Sequence, residues 1–469
     1  MRGGARLLVV GAGPAGLWAA WRAAMAGHAV TLVERAPRVG GMAASIEVSG
    51  LRVDLGSHRL HPSSPPAVLA GLTSLLGRDL QTRPRHGRID LHGRWLGFPL
   101  RTGDLLRHTP PRFAAGAALD VATGSFRHAR RDTFAEVVRA GLGPTVAEGF
   151  YEPYIRKIWG VSPDELSGDL ARRRVSASSP GALLRRVVRG SRPQGQVFLY
   201  PRRGFGAISE VLADTAVAAG VDLQLETEVV ALDPGDADRP ATVDVAGPGG
   251  EVTSLTADLV WSTAPVAELA ARTRPSPPAE VLGAAARLEH RGLVLVYLTL
   301  PRPQWTPFDA HYLPATEHLA ARVSEPRNYR DSASDPGDLT VLCAEVPTTV
   351  GDPVWTSSDA DLAARLADDF ARLGLPAAEP ADVTTVRLPR VYPVYRPGFE
   401  WDLVALEWWL AEQPRLVSFG RQGLFVPDNT HHALVMADAA AAALGADGTF
   451  DRAAWARARA AFHHHVVED

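Results

Sequence analysis

The chain has 469 residues, 46% of them hydrophobic and 22% charged, with a formal net charge of −3. That length suits two or three domains, or one large nucleotide-binding domain carrying a cap. Its charge balance gives no basis for nucleic acid or a membrane surface as partner, and no run approaches the roughly 20 apolar residues of a membrane span.

The first element is an apolar run from Ala5 to Val10, the pattern of a buried parallel strand. It begins too soon for a signal peptide to precede it, so a cytoplasmic location is expected. Gly11-Ala12-Gly13-Pro14-Ala15-Gly16 follows, then a helical pattern from Leu17 to Ala26, ended by Gly27-His28. Ala29 to Val33 read as a second strand, closed by Glu34. Strand, G-x-G-x-x-G, helix, strand and acid in that order point to a dinucleotide. Gly11 permits the tight turn, Gly13 admits a pyrophosphate, Gly16 allows close packing of helix on strand, and Glu34 can accept from a ribose diol.

Arg35-Ala36-Pro37-Arg38-Val39-Gly40-Gly41-Met42 comes next. This R-x-G-G resembles the extension of the glutathione-reductase and amine-oxidase flavoproteins, which implies non-covalent FAD. Further pieces resemble the same group. Val53 to His61 holds Gly56, Ser57 and His58; Val221 to Val230 holds Val229, whose backbone would meet adenine; Ala257 to Pro265 holds Thr263. Gly420-Arg421 through Asp428-Asn429-Thr430 precedes a small-residue helix from Ala433 to Ala443, like the last cofactor loop and helix of these proteins. The expected fold is α/β, with a Rossmann-type FAD domain assembled from 1–75, 195–275 and 405–460. A mainly helical domain (76–194) and a substrate-binding β-sheet or cap domain (276–404) would be inserted into it.

Within that group the chain resembles the UDP-galactopyranose mutases and the protoporphyrinogen-oxidase-like proteins. The most specific segment is Tyr151-Glu152-Pro153-Tyr154-Ile155-Arg156-Lys157-Ile158-Trp159-Gly160, followed by Glu165-Leu166 and Arg172-Arg173-Arg174. Tyr200 to Gly206, Ala321 to Pro326 and Tyr392-Pro393-Val394-Tyr395 each resemble a mutase counterpart. The resemblance implies isomerisation of a nucleotide-diphosphate sugar between pyranose and furanose forms, through N5 of the reduced flavin and without net redox change. It makes His58 a neighbour of the isoalloxazine and Arg322, Arg174 and Lys157 a cationic clamp on diphosphate. Tyr154, Trp159, Tyr392, Tyr395 and Phe425 would contact substrate. Phe425 stands where mutases carry tyrosine and His431 where they carry an acid, which suggests a changed substrate. The alternative is an oxidoreductase of protoporphyrinogen- or amine-oxidase type acting on a small molecule or natural product. NAD(P)H or another reductant would supply electrons, and a homodimer is left open.

Lys157 is the only lysine in the sequence, in a chain that uses arginine elsewhere, which suggests that a compact, titratable ammonium is needed there. His431-His432 invites a metal reading, but adjacent histidines seldom face one ion and no carboxylate or cysteine stands at ligand spacing, so no metal is expected. Trp408-Trp409 reads as core or cap packing, the Arg172–Arg174 run as a solvated face with one member turned inward, and Cys343, alone of its kind, as a small core residue.

Overall fold

The computed structural model describes residues 4–124, 131–175 and 196–467. Strand β1 (Arg6–Val10) is buried through its centre and runs into helix α1 (Pro14–Met25), which returns to β2 (Ala29–Val33). Pro14 sits in the first turn of α1, where a missing N–H costs nothing. β1 and β2 pair in parallel near the middle of a five-stranded sheet, with Leu259–Ser262 and Leu416–Ser418 on one side and Asp222–Gln224 on the other. The chain crosses over in both directions from β1, so a crevice opens at its C-terminal end, where open α/β sheets bind ligands.

A seven-stranded sheet faces this unit. Its order is Asp382–Pro393, His290–Leu300, Thr340–Thr348, Arg322–Ser324, Ala310–Tyr312, Gly87–Leu91 and Arg94–Phe98. Strand His290–Leu300 is buried on both faces, so it reads as one apolar run. Val294, Val296 and Leu298 pack under helix Asp359–Arg372, while Leu293, Leu295 and Tyr297 pack on the Ser45–Val48/Leu51–Asp54 hairpin. Buried Asp54 fastens that hairpin, accepting from Tyr200 Oη at 2.5 Å, Ser45 Oγ at 2.6 Å and the Phe205 N–H at 2.9 Å.

The five-stranded sheet draws only on 1–75, 195–275 and 405–460. Two expected boundaries shift. Hairpin Gly87–Leu91/Arg94–Phe98 lies in the stretch expected to be helical but extends the seven-stranded sheet. Helix Phe399–Glu412 runs across the boundary at 404/405. The helical unit itself includes Phe134–Leu142, whose Thr133–Glu136 capping box satisfies its first amides, with Glu152–Trp159 and Gly168–Arg174; residues 125–130 and 176–195 lie outside the described residues. No helix among the described residues is long and apolar enough to cross a membrane.

Candidate active site

A cavity of about 600 Å³ runs from the C-terminal end of β1, between the two sheets, to the helical unit. Its inner wall is the glycine turn. Gly11 has φ +99°, and a Cβ on Gly16 would stand 1.9 Å from the Gly11 carbonyl oxygen, so only glycine lets α1 begin there. A Cβ on Gly13 would meet nothing within 4 Å, which leaves bare main chain facing the cavity. Gly16 itself sits behind the wall, as its packing role requires, whereas Gly11, Gly13, Pro14, Ala15, Gly40 and Gly41 line it. The Glu34 carboxylate is held by the Ala12 N–H at 2.8 Å and the Ala36 N–H at 2.9 Å, one per oxygen. Each oxygen keeps a lone pair for a diol.

Around Val229 the charged groups are paired. Arg272 pairs with Glu228 at 2.6 Å and also donates to the Val229 carbonyl, while Arg35 and Arg390 share Glu268. Further along stand Met42, Gly56, Ser57, Thr263 and Gly420, then Asp428, Asn429 and Thr430 at the N-terminus of helix Thr430–Ala442. His58 stacks on Phe205 with ring centroids 5.2 Å apart. Burial holds its pKa below the usual histidine value, and its buried Nδ1 has no partner. It is therefore a neutral imidazole with one nitrogen available.

At the outer end Arg322 is gripped by Glu345, Nε to Oε1 at 3.0 Å and Nη2 to Oε2 at 2.8 Å, and Glu345 also accepts the Ser57 N–H at 2.7 Å. Arg59 is held by Asp309 at 3.1 Å and the Tyr312 hydroxyl at 3.0 Å. Arg421 differs. Its guanidinium donates to the main-chain carbonyls of Val391 at 2.8 Å and Asp428 at 3.2 Å, its Nε is buried without a partner, and burial depresses its pKa. Tyr392, Tyr154 and Arg174 complete this end; burial pushes the Tyr392 phenol up to about 12.

Besides Gly16, four of the expected site residues lie elsewhere. Lys157 is absent from the wall: its Nζ donates to the carbonyls of Leu313 at 2.7 Å and Ala320 at 3.0 Å, so it ties the helical unit to the sheet instead of gripping a diphosphate. Two acceptors match the two N–H bonds of a neutral amine, and burial draws its pKa down to about 7. Trp159 gives its Nε1–H to the Pro393 carbonyl at 2.9 Å and supports Arg174, 5.2 Å above its ring. Tyr395 donates to the Phe425 carbonyl at 2.9 Å, and both rings pack with Phe399 in the core. All three therefore stand one layer behind the wall. Glu345, Arg59, Arg85 and Tyr312 were missed by the sequence reading. The available signal for Glu345 was a charge inside the otherwise apolar strand Thr340–Thr348.

The reason given for dismissing a metal also needs correction. Asp428, four residues before His432, meets His432 and His465, their ligand atoms all within 4.8 Å of one another. His465 Nδ1 lies 2.6 Å from Asp428 Oδ2, and the Asn429 N–H donates to His432 Nδ1 at 3.2 Å. Arg173 stands 3.6 Å from the other carboxylate oxygen, so the acid already has a cation. This fits a hydrogen-bonded latch that holds the C-terminal stretch against the cofactor loop, and Val467 reaches the cavity wall beside it.

The sequence profile of the flavin-containing amine oxidoreductases matches residues 14–444. The chain belongs to this family. It is a flavoenzyme, and FAD fits the bare glycine wall, the diol-ready Glu34 and the helix N-terminus at Thr430. A reduced UDP-galactopyranose mutase superposes with a TM-score of 0.81 at 19% identity, covering 99% of this chain and 100% of that one. A protein assigned as a protoporphyrinogen oxidase from Exiguobacterium sp. 255-15 gives 0.70 at 21%, covering 93% and 99%. Cyclohexylamine oxidase from Brevibacterium oxydans IH-35A gives 0.64 at 16%, covering 97% and 98%. At such identities these likenesses establish the fold alone. No curated protein sequence matches the chain.

Proposed function

We propose that this flavoenzyme takes an anionic small molecule, a nucleotide-diphosphate sugar, and isomerises it in a mutase-like reaction without net redox change. The observation that carries this reading is charge. Arg59, Arg85, Arg174, Arg322 and Arg421 line the outer end of the cavity against Glu345 and Asp428 among the described residues. A phosphate about 6 Å from one guanidinium gains on the order of 3 kcal/mol at an effective dielectric of 20, and an ammonium loses as much. An amine substrate is disfavoured on the same ground, whatever the family's name. Fold likeness to a mutase over the whole chain supports the reading.

Bound FAD in its reduced form would supply the nucleophile. The protein's part is to hold and screen. Arg421 and Arg174 would take the diphosphate, with Arg322 contributing less because Glu345 already occupies its fork. Neutral His58 would exchange a proton through its unpartnered Nδ1. Tyr154, Tyr392 and the Val467 stretch would keep water out.

A second reading is oxidation of a carboxylate-bearing substrate, for which the same arginines serve equally well and NAD(P)H is not required. Incubating oxidised and dithionite-reduced holoenzyme with a panel of nucleotide sugars separates the two. Isomerisation confined to reduced samples is expected. Bleaching of the oxidised flavin by substrate, with a product that has lost two electrons to the flavin, would replace the first reading by the second.

A further inference from the structure

Helix Phe399–Glu412 buries Phe399, Leu406, Trp409 and Leu410 against the body of the protein. Its opposite face is also apolar. Trp401 is 79% exposed, Trp408 74% and Val404 40%, and Ala411 is exposed as well. Against expectation, Trp408 is largely exposed, whereas its neighbour Trp409 is core. The exposed residues fall at i, i+3, i+7 and i+10, the spacing of a seam between two helices, about 15 Å long at 1.5 Å per residue. Solitary exposed apolar residues need no explanation, but two tryptophans on one apolar stripe do.

We propose that this stripe is a homodimer interface, with two copies of the helix packed antiparallel across a two-fold axis near Leu406. The sequence is self-complementary in that arrangement. Trp401 of one copy falls opposite small Ala411 of the other, and Trp408 opposite Val404, so each large ring meets a small side chain. Charge does not oppose it strongly. Of this helix's acids, Asp402 is neutralised by Arg287 at 2.5 Å and Glu407 by Arg459 at 2.6 Å, Glu400 accepts from Ser167, and Glu412 at the last turn has no partner among the described residues. A buried tryptophan hides about 150–250 Å², so the stripe offers on the order of 450 Å² per copy. The total is below the roughly 1,200–2,000 Å² of a standard interface, which places this dimer among the weak, reversible ones.

Sedimentation velocity of the full-length, FAD-loaded protein, across about 0.1–100 µM, tests this; the range reaches the micromolar constants of a weak dimer. The wild type should pass from monomer to dimer, with blue-shifted tryptophan emission in the dimer. Trp408→Glu and Trp401→Glu should each raise the dissociation constant at least about 100-fold, as a central tryptophan commonly does, with flavin absorbance and thermal midpoint unchanged. A wild type that stays monomeric throughout overturns the proposal. So does a dimer that survives both substitutions, which would put the interface elsewhere. A monomer that binds zwitterionic vesicles and loses them in Trp408→Glu would overturn it in favour of a lipid surface.

Discussion

Replacing Glu345 by glutamine should have two consequences of opposite sign. The side chain is 4% exposed and forms both bonds of the fork on Arg322. Removing one charge of a buried pair costs about 3–5 kcal/mol. Glutamine keeps an oxygen for the Ser57 N–H, so the lower end, about 3 kcal/mol, is expected, read as an earlier urea midpoint. Binding of an anion should tighten. A phosphate about 6 Å from the lost charge is relieved of on the order of 3 kcal/mol at an effective dielectric of 20. Solvent in the open cavity roughly halves this, leaving about a 10-fold gain. UDP titrated into FAD-loaded wild type and Glu345→Gln, followed by flavin fluorescence, measures it. Lower stability with unchanged or weaker UDP binding would refute the reasoning, because Arg322 would then not face the anion.

Gly16→Ala should yield a colourless protein. Its Cβ would stand 1.9 Å from the Gly11 carbonyl oxygen, so α1 must leave the turn, and the visible-to-ultraviolet absorbance ratio after purification with added FAD reports the loss. Full FAD occupancy in this variant would mean that the turn does not hold the cofactor. Lys157 makes stability depend on pH. Burial lowers its pKa from 10.5 to about 7, so between those values the unfolded chain binds the extra proton and the folded one does not. Stability therefore rises with pH across that window, by up to about 1.4 kcal/mol per unit. Lys157→Met should lack that slope in urea unfolding at two pH values inside the window. Parallel profiles for the two proteins would show that Lys157 stays charged in the fold.

The cofactor half of this protein is written in contiguous sequence. Strand, glycine turn, helix and acid fall within Arg6 to Glu34; Gly11 is required by its dihedral and Gly16 by the atom next to it, while Gly13 leaves main chain bare towards the cavity. A local pattern can therefore be read without knowing the rest of the chain. The substrate half is not local. Tyr154 and Trp159 share one helix, as Tyr392 and Tyr395 share one motif, yet in each pair only the first reaches the cavity, because a few residues' rotation about a helix or a turn out of a strand selects the side that faces the wall. Glu345 lies 23 residues from Arg322, and His465 lies 37 from Asp428. Those contacts exist only once the seven-stranded sheet and the C-terminal stretch are packed. The motifs named the residues, and tertiary packing decided which charges face the cavity without a counter-ion, since a pairing partner distant in sequence leaves no periodic trace.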